Sequence, residues 1–363
     1  MRVGAEAALA RAVLTGYLGV RPRETVTIES WSHSLAWARA FVLEARRLSA
    51  EPLLALEDEE TVFHSLAARP THRVPVSPIA LAGSSDALVY LGGPEAFPRL
   101  LGIRPEDRRA LIDRHSVPWK RSARGAKMRV ARLAISEATP TAAVRFGSDL
   151  KAWRDELVAA STVLPERLAS IARPYTGRLL RARRLTVRHA NGTALTAEIA
   201  RAGVRSDDGR SARGPPLYSV DVPTGRIVIL LRPGSADGRW EANRALYDRF
   251  AEEPVQLGAQ FRIERGRVAE FSFDRGGESF AAAYGSGGKG RSDVGALVVG
   301  LNPKILRAPE VGPLASGAVS LVLGGDREVG GRHRTGFSRT TSLVDADVDL
   351  DGRPWIAGGR RVG

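Results

Sequence analysis

Near residue 180 the hydrophobic pattern of this chain changes its period, and that change limits the fold more than any other feature. Before it, helix-spaced and strand-like segments alternate. Residues 5–19 place Ala8, Leu9, Ala12, Val13 and Leu18 at helical spacing, and residues 25–29 (TVTIE) alternate as a strand does. Residues 33–48 set Leu35, Ala38, Phe41, Val42 and Ala45 on one side of a second helix. Strands follow at 52–57 (PLLALE) and 86–93 (DALVYLGG), with further helices expected at 104–115 and 149–172, the last running up to Pro174. Such alternation predicts right-handed parallel crossovers and an open sheet.

After residue 180 the strands are short and Gly-punctuated. LTVRHANGTALTAEI carries two alternating runs joined by Ala190-Asn191-Gly192, a hairpin signal. GRIVILL, AQFRIERGRVAEFSF, AVSLVLGG and LVDADVDLDGRPW continue the pattern, and loops are expected at 203–217 and 284–292. The expectation is therefore an α/β N-terminal domain with an open, mostly parallel sheet over 1–175, followed by a β-rich α+β C-terminal domain over 176–363. A chain of 363 residues is long enough for two cores.

Composition removes several chemistries. Without cysteine there is no disulfide, thiolate nucleophile or Cys-type zinc site. The opening MRVGAEAALARAVL carries Glu6 and Arg11 where a secretory signal has an apolar core, so none is expected. No apolar run is long enough to span a membrane, and a cytoplasmic protein is the expectation. The net charge of +14 favours anionic partners, although the arginines are spread along the chain as they are on a solvated surface. With 6% aromatic residues and no recognised reading module, nucleic-acid binding is the weaker of those options.

No P-loop, nucleophile elbow or His-Glu-x-x-His helix is present. GSGGKGRS reads as a surface loop because it lacks the strand–loop–helix setting of a phosphate cradle. Asp347-x-Asp349-x-Asp351-Gly352 resembles the start of a calcium loop, but the twelfth position is Gly358 and not Glu. A solvated strand face ending in an Asp-Gly turn is the alternative. Of six histidines, only His333 lies beyond the first hairpin, in GGRHRTG, where cations surround it; a surface or anion-facing role is expected.

The order of segments is similar to that of the thermophilic metallo-aminopeptidase family, two-metal exopeptidases. LGVRPRETVTIES, LTVRHANGTALTAEIARAGV, VDVPTGRIVI, GALVVGLNP, GAVSLVLGGDREVGG and TSLVDADVDLDG occur in the family's order and roughly at its spacing. The resemblance implies that two Glu, two His and an Asp would hold two metals. At the matching positions this chain has Arg226 and Ala296 for the carboxylates, Ser320 and Leu343 for the imidazoles, and Asp345 for the retained Asp; Arg327 stands near a Tyr position. The resemblance implies a degenerate member with no metal cofactor.

The expected function is non-catalytic peptide binding, with Arg226, Ser320, His333, Arg334 and Asp345 as candidate contacts. Arg226 could equally be held in an ion pair with Asp345 or Asp347. The expected partner is an acidic precursor or leader peptide, presented to tailoring enzymes of a ribosomal peptide natural-product pathway, and the resemblance implies a homodimer. The alternative is an active enzyme, either a metal-dependent aminopeptidase or a metal-free peptide-modifying catalyst, using Asp293, Asp326, Asp345 and Asp347.

Overall fold

The computed structural model describes residues 4–67, 76–95, 121–210, 218–326, 329–331, 333 and 335–362. The segment 104–115, Arg327 and Arg334 lie outside the described residues. The chain divides into two units, residues 1–165 with 209–224, and residues 166–208 with 225–363. A single cut after 175 becomes a boundary at 165/166 with one return passage.

In the first unit, among the described residues, β1 (Thr25–Trp31), β2 (Glu51–Glu57), β3 (Ala87–Leu91), β4 (Arg129–Leu133) and β7 (Tyr218–Val222) form a sheet in the order β2-β1-β3-β4-β7. Every neighbouring pair is parallel, as the alternating pattern predicts. Parallel strands covered on both faces must be apolar in their middles, and Val26, Ile28 and Val89 are fully buried. Helix α1 (Ala5–Arg11) runs on as a π-helical turn, Ala12–Tyr17, and packs on α2 (Leu35–Arg47), which a 3₁₀ turn, Ser32–Ser34, precedes. Helices α3 (Glu59–Ala67) and α4 (Val76–Ser84) follow β2.

Helix α5 (Pro140–Phe146) starts as its sequence dictates. Thr139 accepts a hydrogen bond from the Ala142 amide at 3.1 Å, Pro140 occupies the first turn, and Gly147 ends it at φ 61°. The helix expected over 149–172 is two helices, α6 (Leu150–Ser161) and α7 (Pro165–Leu179). Pro165 opens α7, where its missing N–H costs nothing, and α7 continues through Pro174, which sequence suggests as a stop.

The second unit is built on strands β5 (Arg184–Arg188), β6 (Ala194–Asp207), β8 (Arg226–Leu231), β9 (Asp237–Glu241), β10 (Leu246–Tyr247), β11 (Val255–Gln256), β12 (Gln260–Glu264), β13 (Arg267–Ser272), β14 (Val294–Gly300), β15 (Val319–Gly324), β16 (Ser338–Leu343), β17 (Asp347–Leu350), β18 (Arg353–Ala357) and β19 (Arg360–Arg361). Its main path, β16-β15-β14-β8-β6-β5-β17-β18-β19, is antiparallel throughout. The β5–β6 hairpin turns at Asn191-Gly192, with Gly192 at φ 101° and the Asn191 side chain accepting the Thr193 amide at 3.1 Å.

Two expected loops shift. Residues 203–207 belong to β6, and residues 284–286 close helix α8 (Gly277–Ser286). The aspartate run forms the expected solvated strand: Asp349 pairs with Arg188 at 2.5 Å, and Asp351, at φ 49°, accepts the Arg184 amide. The core holds Trp240, Phe261, Phe280, Phe337 and Trp355, with Phe280 edge-on to Phe337 at 5.4 Å.

Candidate functional site

The pleat of the second unit's sheet sorts the candidate residues. Residues opposite one another across an antiparallel sheet share a face, and the face alternates along each strand. The register aligns Asp207, Arg226 and Gly300 in one row. Two residues further along, on the same face, lie Arg205, Val228, Val298, Ser320 and Ser342, and two further still Leu230, Ala296, Val322 and Thr340. The row between them, Ile227, Val299, Val319 and Leu343, points into the aromatic core.

Arg226, Ala296 and Ser320 therefore share one face. Leu343 does not: it is fully buried on the opposite side, and Ser342 takes its place beside Ser320. Successive residues of a strand alternate faces, so Leu343 and Ser342 point to opposite sides of the sheet.

Arg226 donates through Nε to Asp207 Oδ2 at 3.0 Å, and both side chains are about four-fifths buried, at 19% and 23% exposure. The ion pair thus exists, but with Asp207 and not with Asp345 or Asp347. β6 delivers Asp207 because a bulge between Ile199 and Val204, with Ala202 at φ 56°, resets the register before the strand reaches β8. Gly300 closes the row because a Cβ there would strike the carbonyl of Ala315. Two strands away, Ser320 and Ser342 exchange a hydrogen bond at 2.8 Å, buried from solvent. Between them Val228, Ala296, Val298, Val322 and Val329 pack as an apolar cluster. Arg205 extends along Gly330, where a side chain would collide with its guanidinium.

Asp345 is exposed in the turn between β16 and β17 at φ 58°, and Asp347 accepts the Gly358 amide at 2.7 Å. His333 stands at the other end of β15. Its amide donates to buried Asp326 at 2.7 Å, and its Nδ1 lies 3.8 Å from Asp293, which Arg267 also meets at 3.3 Å. His333, Asp293 and Arg267, with Arg265 and Ser292, line a cavity of about 640 Å³. Asp293 and Asp326 are separated from Asp345 and Asp347 by the length of β15, on the order of 20 Å, so the four carboxylates do not make one site. Sequence reading missed Asp207, Arg205 and Ser342; the alternation of β6 and β16 could have found them once strand register was known.

A pair of dications needs several anionic or imidazole donors converging on one space. The matched positions carry the Arg226 guanidinium, the Ala296 methyl, the Ser320 hydroxyl and the Leu343 isobutyl group, with Asp345 the one carboxylate, and that donor set does not fit a two-metal centre. Among the described residues no three His, Asp or Glu side chains gather into a group that could hold a metal ion.

Two solved structures are similar over nearly the whole chain. Wild-type AmpT from Thermus thermophilus superposes with a TM-score of 0.70 at 15% identity, covering 99% of each chain. A 2,5-dihydroxypyridine dioxygenase from Pseudomonas putida KT2440 superposes with a TM-score of 0.59 at 13% identity, covering 99% of this chain and 97% of that one. No protein-family model matches the chain, and no curated protein matches it in sequence. These likenesses show a shared fold, an α/β unit followed by a β-rich unit. Among the described residues no helix is long and apolar enough to cross a membrane.

Proposed function

We propose that this chain is a non-catalytic peptide-binding protein on an aminopeptidase-like fold. In this reading it is a cytoplasmic homodimer that presents an acidic precursor or leader peptide to tailoring enzymes of a ribosomal peptide natural-product pathway. The observation that carries the reading is the Arg226–Asp207 pair on the face of the sheet that also holds Arg205 and the Ser320–Ser342 hydroxyls. A guanidinium offers a planar fork that matches a carboxylate, and it stays charged at any physiological pH. A peptide carboxylate takes the place of Asp207 on Arg226, while Arg205 supplies a second cation. Positive charge on this face also steers an acidic peptide toward it. His333 and Arg267 line a separate cavity, and Asp345 lies apart from both.

Calorimetric titration of the full chain with acidic peptides encoded beside its gene tests the reading. Micromolar or tighter binding that weakens at least tenfold in Arg226→Ala is the expected result. No binding by any such peptide overturns it. Elemental analysis together with an aminopeptidase assay in Co²⁺ or Zn²⁺ provides the opposing arm, because stoichiometric tight metal with turnover would replace this function with an enzymatic one.

A further inference from the structure

We propose that the second unit carries a separate binding surface, an arginine patch where the end of α7 meets β17, β18 and β19, that grips a nucleic acid duplex by its phosphates. Arg178, Arg181, Arg183, Arg184, Arg353 and Arg361 make up the patch. Arg178 donates to the Pro354 carbonyl at 2.7 Å, which seats the last turn of α7 beside Arg353. Tyr175, one turn earlier, meets the Arg361 backbone and stands edge-on to Trp355 at 6.0 Å. The Asp351 carboxylate accepts the Arg183 and Arg184 amides at 3.2 and 2.9 Å, tying the loop that leaves α7 to the turn before Arg353. Strands β5, β17, β18 and β19 are neighbours, so at about 4.8 Å per strand the patch is roughly 14 Å wide.

Arg178 is half-buried and the other five are exposed. Among the described residues none of the six has an ion pair with a carboxylate. The acids nearby are engaged elsewhere. Asp349 pairs with Arg188 at 2.5 Å, and Glu198, the register partner of Arg184, pairs with Arg232 at 2.5 Å. Asp351 serves the two amides, and Asp347 lies at the far end of β17. Residues outside the described ones hold more Arg and Lys than Asp and Glu, so their net charge adds to the excess. Local roles account for only part of it. A cation near a helix C-terminus offsets the exposed carbonyls, which suits Arg178, and an edge arginine deters pairing with a foreign strand, which suits Arg361. Arg183, Arg184 and Arg353 sit in neither setting.

Charge density decides the partner. An extended acidic peptide places at most one carboxylate per about 3.3 Å, and alternate ones point away. A nucleic acid duplex carries one charge per about 1.7 Å of axis, so across the patch it offers about twice as many anions. A guanidinium forks onto two phosphate oxygens and stays charged at any physiological pH. Trp355 is buried and Tyr175 packs against it, so neither ring is free to stack on a base. The low aromatic content of the chain is no obstacle to this mode of binding, because phosphate contacts need no stacking platform. Such contacts position a duplex without reading it, and binding is blind to sequence.

Fluorescence anisotropy of the full chain with labelled DNA duplexes of two unrelated sequences tests the proposal. An RNA duplex, a polyglutamate peptide and phosphatidylserine-containing vesicles are the further probes. Equal binding of the two DNA sequences is expected, with log K falling against log salt at a slope of about −4.5 for about five phosphate contacts. Tighter binding of the RNA duplex identifies RNA as the source of the phosphates; tighter binding of DNA identifies DNA. Arg181→Glu/Arg183→Glu/Arg353→Glu should weaken binding at least tenfold. Arg11→Glu/Arg46→Glu/Arg124→Glu, exposed positions of the first unit with the same change in net charge, should lose less than threefold, as should Arg226→Ala. Arg181→Gln/Arg183→Gln/Arg353→Gln should flatten the salt slope by about 2.7, and it replaces the Glu variant should that fail to fold. Equal losses in the two Glu variants mark a general charge effect and overturn the proposal. So do preference for polyglutamate or for the vesicles, a tenfold loss in Arg226→Ala, or no duplex binding in low salt.

Discussion

In the parallel sheet the carboxyl of Glu29 stands beside Tyr90 with no cation bonded to it, whereas in the antiparallel sheet Arg226 meets Asp207 at 3.0 Å. The contrast follows from topology. Antiparallel neighbours run in opposite directions, so the end of β6 at Asp207 lies opposite the start of β8 at Arg226, and opposite charges can be matched within one row. Parallel strands all end on the same edge. Side chains there meet the loops that follow, not complementary positions of their neighbours, and a polar row can remain open to a ligand. Arg226 is thus matched within the sheet, while Glu29, among the described residues, has no ion pair.

The contrast can be broken at several strengths. The largest effect falls on neither charge: Phe280→Ala, in the centre of the aromatic core, is expected to destabilise the second unit by about 3–5 kcal/mol. Denaturant unfolding followed by tryptophan fluorescence measures it, and the first unit's transition should stay where it is. Next comes Glu29. Its folded pKa, about 7, lies above its ordinary 4.5, so the folded state binds the proton more tightly than the unfolded chain. Stability of the first unit is then full below pH 4.5 and declines as pH rises toward 7, by about 3 kcal/mol in total. Melting curves between pH 4 and 8 should show that decline, and Glu29→Gln should flatten it.

Asp207→Ala leaves Arg226 mostly buried without its carboxylate and should destabilise the second unit by about 1–3 kcal/mol. Adding Arg226→Met should recover much of the loss, since removing both partners is gentler than orphaning one. If the double variant is no better than the single, the pair is not the matched unit that the register implies. The smallest effect sharpens the helical contribution: Thr139→Ala removes the cap of α5 and should lower stability by about 1 kcal/mol, measured by thermal melting.

How far the sequence could lead depended on the range of the interactions involved. The β5–β6 hairpin was legible because Asn191-Gly192 acts over four residues. The parallel strands β1, β2 and β3 were legible from their apolar runs. The Asp207 partner of Arg226 was hidden, since the second half of β6 is rich in Gly, Ser and charge and reads as a loop until β8 pairs with it. The face on which Leu343 lies was not legible either, because segment order does not fix the pleat, and the pairing of Ser320 with Ser342 reveals it. Glu29 gave no local signal, because its place beside Tyr90 depends on strand order, which the alternation of helix and strand leaves open.

Strand β7 belongs to the first unit's sheet although it lies between β6 and β8, two strands of the other unit. During synthesis, the ribosome must therefore extend past residue 222 before the parallel sheet can gain its last strand. Until then β4 presents an open edge to whatever chain is nearby. Cutting after residue 165 would make that temporary exposure permanent, so this boundary should yield a sticky fragment and not an independent domain.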